Sequence, residues 1–110
     1  MSVRVIAFVT IDEQQPQALA RYLEATGPLL DSAGARIVQR FVLNEAVVGQ
    51  RPAQSVIIVD YPDRAAVDRV FASQAYRDII PFRDMAFRDY HVTVVAGEDQ
   101  AEQQAAMENY

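Results

Sequence analysis

Six side chains of this 110-residue chain have the type and placement to do chemistry: Arg83, Tyr76, Tyr22, Asp60, Arg36 and His91. Arg83 needs explaining first. Within SQAYRDIIPFRDMAFRDY, Tyr76, Ile79, Ile80, Arg83, Ala86, Phe87 and Tyr90 fall on one stripe at helical spacing. That stripe is apolar apart from one guanidinium. Arg cannot shed its charge, so burying it costs several kcal/mol unless an acid or a ligand meets it. Two kinds of partner are open to it. One is an acid of the chain, Asp60 or Glu24. The other is a carboxylate or enolate held between sheet and helices, whose oxygens suit the planar fork.

The remaining five divide by position. Asp60 closes an apolar strand, where burial would raise its pKa and make it a general base. A paired Asp is a poor base, so this competes with an Asp60–Arg83 ion pair, and we take the ion pair. Tyr22 and Tyr76 lie on the inward stripes of their helices, as core rings with hydroxyls at a wet edge or as pocket walls. Arg36 opens a strand, at a rim ion pair or on plain surface. His91 has an ordinary pKa near neutrality, but it falls on the less apolar side of an edge strand. We expect a surface or dimer contact there, not a catalyst. One His and no marked nucleophile cannot make a Ser-His-Asp arrangement.

Composition removes other chemistries. There is no Cys, so thiolate nucleophiles, disulfides and thiolate metal sites are absent. All ten basic residues are Arg, which rules out a Lys Schiff base. A single His cannot build a His-rich metal site. The four Gly are scattered, so no phosphate-cradling loop exists. We expect no cofactor and no metal. A net charge of −5 makes nucleic acid a poor partner. No apolar run approaches the roughly 20 residues of a membrane span. The apolar stretch at residues 3–9 is short for a secretory signal, and the expected compartment is the cytoplasm.

The elements that must position these residues follow from periodicity. Residues 3–10 and 55–61 are strands with apolar residues on both faces. Pro16 suits a helix start, Pro28 within that helix predicts a kink, and Gly34 suits its left-handed end. Residues 35–48 form a long second strand with room for a bulge. Its alternation puts Arg36, Val38, Arg40 and Val42 on one side and Ile37, Gln39, Phe41 and Leu43 on the other. Asp63 caps a short helix, and Ser73 caps the helix of the opening stripe. Residues 90–96 are the last strand, ended by Gly97. Residues 98–110 are an acidic tail, here taken as solvated and outside the domain of residues 1–97.

The order β-α-β-β-α-β gives an α+β fold, a ferredoxin-like four-stranded antiparallel sheet with helices on one face. The first and third strands are then central, which explains their two apolar faces. The bare face presents five or six Val, Ile and Phe side chains, a gross drive of about 10 kcal/mol for covering them. That is comparable with the roughly 4–15 kcal/mol cost of association. A homodimer packed sheet against sheet is therefore expected.

The chain resembles the domain of unknown function 1330 family of the dimeric α/β-barrel superfamily. The resemblance rests on Tyr22, on Gly34-Ala35-Arg36, and on Gly49 with Arg51-Pro52. It continues through Val59-Asp60-Tyr61-Pro62, Ser73-Gln74-Ala75-Tyr76 and Arg83. It implies a ferredoxin-like homodimer without an established activity. Superfamily relatives include cofactor-free monooxygenases, isomerases and lyases, which usually hold a small ligand between sheet and helices. Phe41-Val42 stands where the family often has Gly-Gly, and the bulk of Phe41 is expected to narrow that pocket. Three functions remain open. The first is a binder of a small organic acid or aromatic ligand. The second is a cofactor-independent enzyme acting on such a ligand. The third is a structural dimer with Arg83 paired internally.

Overall fold

A computed structural model describes residues 2–95. The expectations for Ala96, Gly97 and residues 98–110 lie outside that range. The elements are β1 (Val3–Ile11), α1 (Pro16–Ser32), β2 (Arg36–Val42), β3 (Ser55–Tyr61), α2 (Arg64–Phe71), α3 (Gln74–Ala86) and β4 (Phe87–Val94). The sheet runs β2-β3-β1-β4 with antiparallel neighbours. This is the expected ferredoxin-like arrangement, with α2 and α3 together forming the second crossover.

Local chemistry explains where the helices begin and end. Pro16 sits in the first turn of α1, where its missing N–H costs nothing. The helix carries Pro28 within it and runs on to Ser32. Its end is a Schellman motif: the Ala35 N–H donates to the Leu30 carbonyl (2.9 Å) and the Gly34 N–H to the Asp31 carbonyl (3.1 Å). Gly34 takes φ +74°, as that motif requires. The Asp63 carboxylate accepts from the Ala66 N–H (2.8 Å) at the start of α2. The Ser73 hydroxyl accepts from the Tyr76 N–H (3.1 Å) at the start of α3. That second cap fixes Tyr76 in the first turn of its helix.

Register decides which side chains meet. On the face away from the helices, Arg4 is paired with Asp60, Ile6 with Ile58 and Phe8 with Val56. Beside them lie Arg36, Gln39 and Phe41 of β2, and His91 and Thr93 of β4. On the other face Val5, Val59 and Tyr61 join Tyr22, Val67, Val70, Tyr76 and Ile79 in the buried core. One face is covered by helices and the other is open in the single chain.

Three sequence expectations change. First, β2 stops at Val42, because β3 is only seven residues long and Ser55 is already paired with Val42. Glu45–Val48 therefore lies outside any strand, and Val47 and Val48 are exposed. Second, a register shift between Ile37 and Gln39 breaks the β2 alternation. Arg36, Gln39 and Phe41 share the open face, while Ile37 and Arg40 turn toward the helices. Third, the helix of the opening stripe ends at Ala86. Phe87 begins β4, where the Asp12 N–H donates to the Ala86 carbonyl (2.8 Å) and Ile11 is paired with Phe87. A register shift beside Thr10 and Ile11 lets both Phe87 and Tyr90 pack against the core. Helical spacing had made the same two residues inward for a different reason.

Candidate functional site

Between the sheet and the helices lies a cavity of about 240 Å³. Its walls are mostly aliphatic, with Val5, Ala7 and Val9 from β1 and Leu19 and Leu23 from α1. Polar groups reach it at few points. Tyr22, Tyr61, Tyr76, Tyr90 and Thr26 are the hydroxyl-bearing residues of its wall, and Arg40 lines it from the edge strand. Phe41 is not on the wall: the β2 bulge turns it onto the open face beside Val56. The narrowing expected from its bulk therefore does not occur.

The three tyrosines come from α1, α3 and β4 and converge on one point. The Tyr22 hydroxyl is hydrogen-bonded to that of Tyr76 (2.8 Å) and to that of Tyr90. Their rings meet edge to face, with Tyr22 against Tyr76 at 6.1 Å and against Tyr90 at 5.7 Å between centroids. Tyr22 and Tyr76 are 4% and 2% exposed. Burial, with Tyr90 and Tyr76 close by, pushes the Tyr22 phenol far above its ordinary value. Burial and the neighbouring Tyr76 likewise raise Tyr90. Burial also pushes Tyr61, another wall residue, up to about 12. These three phenols keep their protons at neutral pH, which makes them available as hydrogen-bond donors and not as phenolate bases.

Arg83 stands behind this cluster, outside the cavity wall. Its Nη1 donates to the Tyr76 hydroxyl at 3.4 Å, and its guanidinium lies over the rings of Tyr76 (5.8 Å) and Tyr90 (5.5 Å). Nε and Nη2 both donate to Asp84 Oδ1, at 3.3 and 3.2 Å. The side chain is 26% exposed, so water also bears part of the charge. Burial works against that charge, but the Tyr76 oxygen and the Asp84 carboxylate outweigh it and raise the Arg83 pKa.

This corrects the expected ion pair. Neither Asp60 nor Glu24 is the partner of Arg83. Asp60 lies on the opposite face of the sheet, where Arg4 Nε and Nη2 donate to its two oxygens at 2.8 and 3.2 Å. The Arg4 hydrogen bonds and the charges of Arg4 and Arg36 hold Asp60 below the usual carboxylate range. It is ionised at neutral pH and is not a base poised by burial. Arg36, across from Asp60, and His91, across from Phe8, are on that same open face. Of the six sequence candidates, then, the fold unites Tyr22, Tyr76 and Arg83 and separates Asp60, Arg36 and His91 from them. Tyr90 and Arg40 were missed as site residues. The inward alternation of Tyr90 with Val92 was a usable signal for the first, whereas the bulge that turns Arg40 inward left none.

Fold and site together define a ferredoxin-like α+β domain with an apolar cavity between sheet and helices. Residues 4–98 match the domain of unknown function DUF1330, and the chain belongs to that family. Among curated proteins nothing matches. Solved structures share the fold at low identity. RPA0582 from Rhodopseudomonas palustris, of unknown function, is 19% identical with a TM-score of 0.72, over 87% of this chain and 82% of that one. A dimeric ferredoxin-like protein of unknown function from Thermobifida fusca is 11% identical with a TM-score of 0.53, over 88% and 92%. SnoaB, a cofactor-independent oxygenase from Streptomyces nogalater, is 13% identical with a TM-score of 0.59, over 88% and 93%. Among the described residues no helix is long and apolar enough to cross a membrane.

Proposed function

We propose that this protein is a homodimer that binds a small, largely apolar aromatic molecule between its sheet and helices. The cavity carries this reading. Its volume of about 240 Å³ exceeds the roughly 150 Å³ that holds one benzene ring, and suits a ligand of one or two rings. Aliphatic walls supply affinity, and the tyrosine cluster supplies orientation through a few convergent hydroxyls. An organic acid fits if its carboxylate lies at Arg40, because Arg83 is engaged with Asp84 and Tyr76. A second reading, a cofactor-independent enzyme on such a ligand, draws support from the likeness to the SnoaB oxygenase and from the protonated phenols as donors to a developing negative charge.

Thermal-shift measurements with a panel of one- and two-ring neutral aromatics and aromatic acids test the binding reading. A ligand at about 100 times its Kd stabilises the folded protein by about 2.7 kcal/mol, a readily measured rise in Tm. The rise should vanish in Ala7→Leu, which adds bulk to the cavity wall. A panel that leaves the wild-type Tm unmoved at millimolar concentration would overturn the reading.

A further inference from the structure

Each hydrogen bond of the tyrosine cluster can run either way, and Arg83 favours one direction. A guanidinium donates and never accepts. Its Nη1–H therefore occupies an acceptor position on the Tyr76 oxygen, and that polarises the Tyr76 proton outward. The next oxygen is Tyr22, which bonds in turn to Tyr90. Three phenols bring three protons, and the two bonds among them use two. Donation running Arg83 to Tyr76 to Tyr22 to Tyr90 leaves the Tyr90 O–H as the unspent donor. Tyr90 is a wall of the cavity, and the Arg83 charge lies 5.5 Å from its ring centre.

We propose that the cavity takes a phenol or an enol and favours its ionised form, with the Tyr90 hydroxyl donating to the anionic oxygen. This rests on the binding reading above and adds the chemical class of the ligand. An anion at the end of the chain accepts a hydrogen bond that every link strengthens, whereas the neutral hydroxyl gains less. The ligand's proton leaves to solvent, and no phenol of the protein has to ionise. The other polar groups of the wall are Tyr22 and Thr26 of α1, Tyr76 of α3, Tyr61 of β3 and, on the opposite edge strand, Arg40 of β2, with Arg83 of α3 behind the cluster. Thr26 is spent, its hydroxyl donating to the Tyr22 carbonyl at 2.9 Å. Among the described residues Arg40 is the one cation on the wall itself, so it must be tested separately.

The probes are 4-nitrophenol, whose ionisation is visible in its absorbance, and 4-nitrotoluene, of similar shape but unable to ionise. Calorimetry with 4-nitrotoluene reports whether the cavity binds at all, and whether each variant remains folded around it. The apparent pKa of 4-nitrophenol under saturating protein should fall by about one unit, a tenfold preference for the phenolate. Tyr90→Phe and Arg83→Met should each remove most of that fall while 4-nitrotoluene still binds, and Arg40→Gln should leave it in place. Binding of 4-nitrotoluene with no fall for 4-nitrophenol would overturn the proposal and spare the binding reading. So would a fall that survives Tyr90→Phe, or one lost only in Arg40→Gln. If neither compound binds, both readings fail.

Discussion

The Tyr22 hydroxyl sits where three elements meet, and removing it tests how much the cluster holds together. In Tyr22→Phe the hydroxyls of Tyr76 and Tyr90 lose the partner they share. A buried polar group left without its partner costs about 1–3 kcal/mol. Urea unfolding should show a loss in that range with an unchanged m value. A loss below about 0.5 kcal/mol would mean that water replaces the missing hydroxyl and that the cluster is not dry. Tyr22, Tyr90 and the neighbouring wall residue Tyr61 set an alkaline limit. Their folded-state pKa values lie above the unfolded value of 10.0. Folding then favours the protonated form, so this stabilisation is fully present below pH 10 and is lost as pH climbs through the folded values. Absorbance titration should show Tyr22, Tyr61 and Tyr90 ionising only with alkaline unfolding, in one cooperative step. Independent ionisation of all three near pH 10 in folded protein would refute their burial.

The elements owe their ends to single residues, and Gly34 is the clearest. Its φ of +74° is costly for any side chain, and an added Cβ would come within 3.3 Å of the Pro62 ring. Gly34→Ala should destabilise by about 1–2 kcal/mol in urea unfolding, and an unchanged midpoint would refute the strain. This end of α1 was legible in the sequence, as were both caps, the strand order and the inward faces of Tyr22 and Tyr76. Each follows from a local rule of spacing or backbone freedom. The partner of Arg83 was not legible. Asp60 could be placed beside Val56 and Ile58, but both faces of a central strand are apolar, and alternation does not say which face the helices cover. The length of the second strand left room for its bulge but did not show its position, and the bulge beside Thr10 and Ile11 gave no sign, since an extra residue leaves the composition of a strand unchanged. One of them moved Arg40 into the cavity wall and Phe41 out of it.

At the scale of the whole molecule, the open sheet face is the surface that the helices of the single chain leave uncovered. Ile6, Phe8, Val56, Ile58 and Phe41 lie side by side there, with Arg4, Asp60 and Arg36 at one end and His91 along β4. Covering five such side chains would contribute about 10 kcal/mol gross, within the range of what association costs. At the charged end Arg4 holds Asp60 in two hydrogen bonds, and Arg36 adds a second positive charge near the same carboxylate. A second copy that covers the apolar centre must therefore leave this end in water. Ile58 is on the central strand β3 and is paired with both Ile6 and Gln39, so a charge there falls in the middle of any sheet-to-sheet contact. Ile58→Glu should turn a dimer into a monomer in light scattering at micromolar protein. The tyrosine cluster lies on the other side of the sheet, so 4-nitrotoluene binding should survive the change. Wild-type protein running as a monomer would end the dimer proposal. An Ile58→Glu variant that remains dimeric would place the interface elsewhere on the chain.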